Sequence, residues 1–141
     1  MDLKNIHIGK LIQQRTEELN LSISRICNFF KCSEEELSKM YEEENLTTDM
    51  LLKWSKLLEY DFFRLYTQHL ILYSPPSAVE TKERKSQLPQ FRKNIYTKEI
   101  IDFILEQINN GEMTKNQVLE RYRIPKTTLY KWISKYGNSK N

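Results

Sequence analysis

The side chains with a chemistry to offer gather near the end of the chain. In "KTTLYKWISKY", Lys126 to Tyr136, the apolar residues Leu129, Trp132, Ile133 and Tyr136 follow the i, i+3, i+4, i+7 spacing of one helix face. Lys126, Thr127, Thr128, Lys131, Ser134 and Lys135 then fall on the opposite face, and the segment contains no Asp or Glu. Ammonium groups attract phosphates. Short hydroxyl side chains let a backbone approach a groove and can bond base edges or phosphates. Tyr130 within the same helix, Lys115, Arg121 and Arg123 just before it, and Arg92 and Lys93 of "FRKN" further upstream complete the candidate contacts to a polyanion.

Other chemistries find little support. His7 and His69 have no partners nearby in sequence, and no Ser/His/Asp, Cys/His or paired-carboxylate constellation can be assembled. Cys27 and Cys32 are five apart, a spacing that matches neither a zinc nor a redox motif, and they read as two buried thiols in a reducing compartment. The expectation is a protein that is not an enzyme, with no metal, no cofactor and no small-molecule substrate. A length of 141 residues also argues against a large catalytic fold. No apolar run approaches the ~18–20 residues of a membrane span, and the polar start "MDLKN" lacks the apolar core of a secretory signal. The expected location is cytoplasmic, at the nucleoid.

The net charge of +3 hides an asymmetry. Residues 1–73 carry 9 Lys/Arg against 12 Asp/Glu, whereas residues 74–141 carry 13 against 7. Affinity for a polyanion depends on local positive density, so contact with nucleic acid is expected in the second half.

Three Gly, four Pro and long stretches rich in Leu, Ile, Glu and Lys predict an all-α fold. The segment "SPPSAVETKERKSQLPQ", 74–90, holds three of the prolines and reads as a linker between two small helical bundles, 1–73 and 91–138, with a disordered tail at 139–141. Five helices are expected in the first bundle. One carries Ile8, Leu11, Ile12, Arg15 and Leu19 and ends near Asn20. Ser22 caps the second, with Ile26, Cys27, Phe29 and Phe30. Ser33 and Glu36 form a capping box for the third, with Leu37 and Met40. "TTDMLLKWSKLLEY" supplies Leu51, Trp54, Leu57 and Leu58 to the fourth, and Asp61 caps the fifth, "FFRLYTQHLILY". In the second bundle, Ile100, Ile101, Ile104, Leu105 and Ile108 form one face of a long helix that exits at Gly111. Thr114 and Gln117 form a capping box before Val118, Leu119 and Tyr122, and Pro125 begins the last helix after a turn "RI".

Two resemblances sit on these elements. "LSISRICNFFKCSEEELSKMYEEENLTTDMLLKWSKLLEYDFFRL", within residues 6–66, resembles a repressor/Cro-type helix-turn-helix domain. Cys27 stands at that family's small-residue position, and Cys32 and Leu37 at its core positions around the turn. Lys31 occupies a turn position where the family usually has Gly, which implies a left-handed backbone or a differently shaped turn. Glu34, Glu35 and Glu36 stand where groove contacts would start, with Glu42, Glu43 and Glu44 close by, and they oppose a polyanion. This acidic run is either a solvated helix start or a protein-binding face.

"TKEIIDFILEQINNGEMTKNQVLERYRIPKTTLYKWISKY", within residues 91–138, is similar to the trihelical, homeodomain-like helix-turn-helix of insertion-sequence transposase DNA-binding subunits. By that resemblance Lys126, Thr127, Thr128 and Lys131 belong to a recognition helix. The acidic catalytic triad of a transposase has no counterpart here. Sequence-specific binding of double-stranded DNA is therefore the expectation, as part of a transposase-related protein or a transcriptional regulator. The rival is a protein-interaction adaptor built on the same folds, which has no need of an acid-free basic helix. The apolar fifth helix, Phe62 to Tyr73, also predicts a homodimer, unless "HLILY" folds back on the first helix.

Overall fold

Helix starts are set by short polar side chains. In the computed structural model, which describes residues 1–74, 86–89 and 96–137, the described residues form eight α-helices and no strand. They are α1 (Ile8–Glu18), α2 (Ile23–Phe30), α3 (Glu34–Glu42), α4 (Thr48–Leu58), α5 (Phe63–Tyr73), α6 (Lys98–Asn109), α7 (Lys115–Tyr122) and α8 (Lys126–Tyr136). The all-α fold follows as expected. Ser22, Ser33, Thr47, Thr97 and Thr114 each precede a helix and accept a first-turn N–H with the side-chain oxygen, satisfying donors that the helix leaves over. Asp61 does the same for the N–H of Phe63, at 3.1 Å. His7 caps α1 through Nδ1, which accepts from the Lys10 N–H at 3.2 Å. No helix among the described residues is long and apolar enough to cross a membrane.

The chain forms two compact units, Asp2–Thr67 and Gln68–Asn141, and the division falls inside α5. Most of the linker segment 74–90 and the tail at 139–141 lie outside the described residues.

In the first unit α1 packs on α3 and α4, and α2 packs on α3. The tightest approach is at Gly9. A Cβ there would meet the carbonyl oxygen of Tyr41, and would lie 2.6 Å from those of Met40 and Glu43. The absent side chain lets the N–H groups of Ile8 and Gly9 donate to the carbonyls of Glu44 and Glu43, at 3.2 and 3.0 Å. The positive end of α1 thus rests on the carbonyls that end α3. This close crossing turns the inner stripe of α1 toward Ile8, Gly9, Ile12 and Thr16, away from the expected Arg15 and Leu19, which are half-buried and exposed. Thr16 tolerates burial because its hydroxyl donates to the Ile12 carbonyl at 2.8 Å. Around buried Trp54 gather Phe30, at 4.4 Å between ring centroids, and Tyr41, at 6.1 Å. Burial pushes the Tyr41 phenol above its ordinary pKa, and burial beside Cys27 does the same for the Cys32 thiol. Both cysteines are free and half-buried, less covered than the two buried thiols expected, and Phe29 is exposed.

Turns in both units use left-handed residues other than glycine. Lys31 has φ 53° and ψ 46°, so the α2–α3 turn has a left-handed backbone at a residue other than glycine. Such a residue costs roughly 1–2 kcal/mol. The N–H groups of Lys31 and Cys32 both donate to the Cys27 carbonyl and close the helix end. Asn20, Glu59 and Arg123 are also left-handed, and Gly111 has φ 74° at the exit from α6.

In the second unit α6 packs on α7 and α8. Ile100, Ile101, Ile104, Leu105, Val118, Tyr122, Ile124, Leu129 and Trp132 form its core. The last residues of α5 join it. The Thr97 hydroxyl donates to Gln68 Oε1 at 2.9 Å, the Tyr73 ring meets Phe103 edge-on with centroids 5.9 Å apart, and Leu72 is buried. Leu65 of α5 and Phe62 just before it are buried in the first unit, and Leu72 is buried in the second, while Leu70 is 56% exposed.

Gly9→Ala is expected to lower the stability of the first unit by about 1–3 kcal/mol, because the added methyl has only backbone oxygens to displace. Urea denaturation followed at the Trp54 indole resonance measures the loss. An unchanged midpoint would contradict the close crossing of α1 and α3.

Candidate nucleic-acid interface

The candidate interface is built by a helix, a short turn and a second helix. Thr114 starts α7 with a complete capping box: its hydroxyl accepts the Gln117 N–H at 3.2 Å, and Gln117 Oε1 accepts the Thr114 N–H at 2.8 Å. The turn is Arg123, Ile124 and Pro125. Arg123 reverses the chain in the left-handed region, φ 54° and ψ 39°. Ile124, 4% exposed, pins the turn to the core. Pro125 has φ −59° and ψ 139°, so it stands just before α8 rather than in its first turn, one residue later than the sequence placed the helix start. A proline side chain carries no acceptor, and the first-turn N–H groups of α8 have no side-chain cap.

Leu129 and Trp132 set the rotation of α8. Leu129 is fully buried, and Trp132 meets the Tyr96 ring edge-on at 4.9 Å between centroids. Ile133 and Tyr136 flank them, half-buried. The outward positions are then Lys126, Thr127, Tyr130, Lys131, Ser134 and Lys135, all exposed, while Thr128 is half-buried at the edge. Lys115 and Arg121 are exposed on α7, and Arg123 is exposed in the turn. The structure brings Lys115 to α8: its Nζ lies 5.5 Å from the centroid of Tyr130, and Lys126 Nζ lies 5.7 Å from the same centroid. Lys115 Nζ and Lys126 Nζ thus meet one exposed ring. Arg92 and Lys93 lie outside the described residues.

The charge around this face is one-sided. Residues 115–136 hold six Lys/Arg and one acid, Glu120. Among the described residues the salt bridges are Arg15–Glu18, Lys53–Asp49 and Arg64–Asp61, and no carboxylate pairs with Lys115, Arg121, Lys126, Lys131 or Lys135. Acids of the second unit concentrate instead on α6, where Asp102 and Glu106 line an open groove of about 420 Å³ with Lys98 and Tyr136. The turn in the first unit has the same length, Lys31 to Ser33, but α3 opens with exposed Glu34, Glu35 and Glu36. Among the described residues no group of three or more His, Cys, Asp or Glu is placed to hold a metal ion.

Two contributors escaped the sequence pattern. Ile124 sits in a turn, outside any helical periodicity, and the approach of Lys115 to Tyr130 needs the turn geometry to be known.

Leu129→Ala is expected to cost the second unit about 2–5 kcal/mol, whereas Ser134→Ala on the outer face should change stability by less than ~0.5 kcal/mol. Amide hydrogen exchange in α8 reads both, and equal protection in the two variants would contradict this orientation of the helix.

Comparison with protein-family models, with curated proteins and with solved structures finds no match to this chain.

Proposed function

We propose that the chain binds double-stranded DNA sequence-specifically through the outer face of α8, as the DNA-recognition part of a transposase-related protein or a transcriptional regulator. The observation that carries this reading is the acid-free outer face of α8, whose lysines have no carboxylate partner among the described residues. An α-helix fits the major groove, and α8 offers the residue types that use it. Lys126, Lys131 and Lys135 supply charge to phosphates. Thr127 and Ser134 supply hydroxyls small enough to reach base edges. Lys115 and Arg123 extend the basic surface onto α7 and the turn, and the uncapped first turn of α8 adds N–H donors suited to a phosphate.

The acidic, exposed start of α3 favours a different partner for the first unit. Three carboxylates on one helix start repel phosphates, and they fit a basic protein surface instead. Self-association through α5 has the exposed Leu70 to offer.

Selection from random duplexes followed by salt titration tests the reading on the full chain. A preferred sequence is expected, and the log-log dependence of affinity on salt should be steep, losing about 0.9 in slope for each phosphate contact removed by Lys131→Ala. Thr127→Ala should instead change preference at one or two base pairs, by about 1–3 kcal/mol, with the slope retained. A flat salt dependence, or selection that enriches nothing, would contradict the proposal.

A further inference from the structure

Tyr130 is a large aromatic residue, 44% exposed on the outer face of α8 among its lysines. Its ring has two cations on it. Lys115 reaches it from the first residue of α7 and Lys126 from the first residue of α8, with Nζ at 5.5 and 5.7 Å from the ring centroid. Both distances lie within the range in which an ammonium is attracted to the ring's negative face. The ring and Lys126 belong to α8, four residues apart, whereas Lys115 comes from α7, so the ring gathers one cation from its own helix and one from its neighbour.

A free lysine side chain samples many rotamers and loses that freedom when it grips a phosphate. A ring that already holds the ammonium lowers this loss. Two ammonium groups within 5.5 and 5.7 Å of one point are at most about 11 Å apart. Phosphates on one DNA strand follow at an axial rise of about 3.4 Å, so such a pair can reach neighbouring phosphates of the same strand.

Resting on the DNA-binding reading above, we infer that Tyr130 is a positioning residue that holds Lys115 and Lys126 as a two-cation clamp on neighbouring phosphates of one strand. It acts through the lysines and carries no sequence information itself. Its phenol ring is what matters, and its hydroxyl is dispensable.

The test uses the full-length chain and the duplex selected by the wild type, with Tyr130→Phe, Tyr130→Leu, Lys115→Ala/Lys126→Ala and the combined triple variant. Thermal melts establish that each variant is folded. Tyr130→Phe should bind within about twofold of wild type. Tyr130→Leu should lose roughly three- to tenfold in affinity with the salt slope unchanged, since no charge has been removed. The double lysine variant should lose about 1.8 from the slope, and Tyr130→Leu should have no further effect in that background. The clamp is overturned if Tyr130→Leu binds as wild type, or if Tyr130→Phe is as weak as Tyr130→Leu. It is also overturned if the leucine change costs the same without the two lysines, because the ring would then touch DNA directly. Any of these with intact wild-type binding overturns this inference alone, whereas a wild-type chain that binds no duplex overturns the DNA reading and the clamp together.

Discussion

Burial of Leu129 and Trp132 is the constraint on which the candidate interface depends. An eleven-residue helix is marginal in water by itself, and α8 owes its order to the apolar face it presses against α6. Once those two residues point inward, the helical repeat decides what points outward. The outward set is lysine, threonine, tyrosine and serine, and among the described residues no carboxylate forms an ion pair with its lysines. The same burial draws Ile124 in and holds the turn, which in turn brings the start of α7 alongside Tyr130. Core packing and surface chemistry are therefore one decision in this part of the chain.

The two units apply the same local device to different ends. Each has two helices joined by three residues, and each opens that turn with a left-handed side chain other than glycine, Lys31 in one and Arg123 in the other. Their outer helices differ in charge. Glu34, Glu35 and Glu36 complement the dipole at the start of α3, whereas α8 starts with Lys126 and two threonines and leaves its first-turn N–H groups uncapped. A shared backbone arrangement does not determine a partner; the side chains displayed on it do. That contrast is why the proposed DNA contact is assigned to the second unit.

Much of this organisation could be read directly from the residues. Ser22, Ser33, Asp61 and Thr114 marked helix starts because a side-chain oxygen at that position has a local partner, and local partners are visible in sequence. Leu129 and Trp132 were legible because their spacing matches the helical repeat. Contacts between distant segments were not. Gly9 carries no periodic signal, yet its lack of a side chain sets the crossing of α1 and α3 and rotates α1 away from Leu19. Ile124 is buried from within a turn. Gln68, Leu72 and Tyr73 continue the helix of the first bundle without interruption, and only the positions of Thr97 and Phe103 reveal where their side chains pack. For the candidate interface the sequence supplied the face of α8, while the meeting of Lys115 and Lys126 on Tyr130 required the turn.

The most direct test is an NMR titration of the full-length, ¹⁵N-labelled chain with duplex DNA. The account predicts that amide shifts concentrate at Lys115, Arg123, Lys126, Thr127, Tyr130, Lys131 and Ser134, with little change in α3. Shifts centred on Glu34 to Glu36, or changes no larger in α8 than elsewhere, would contradict it.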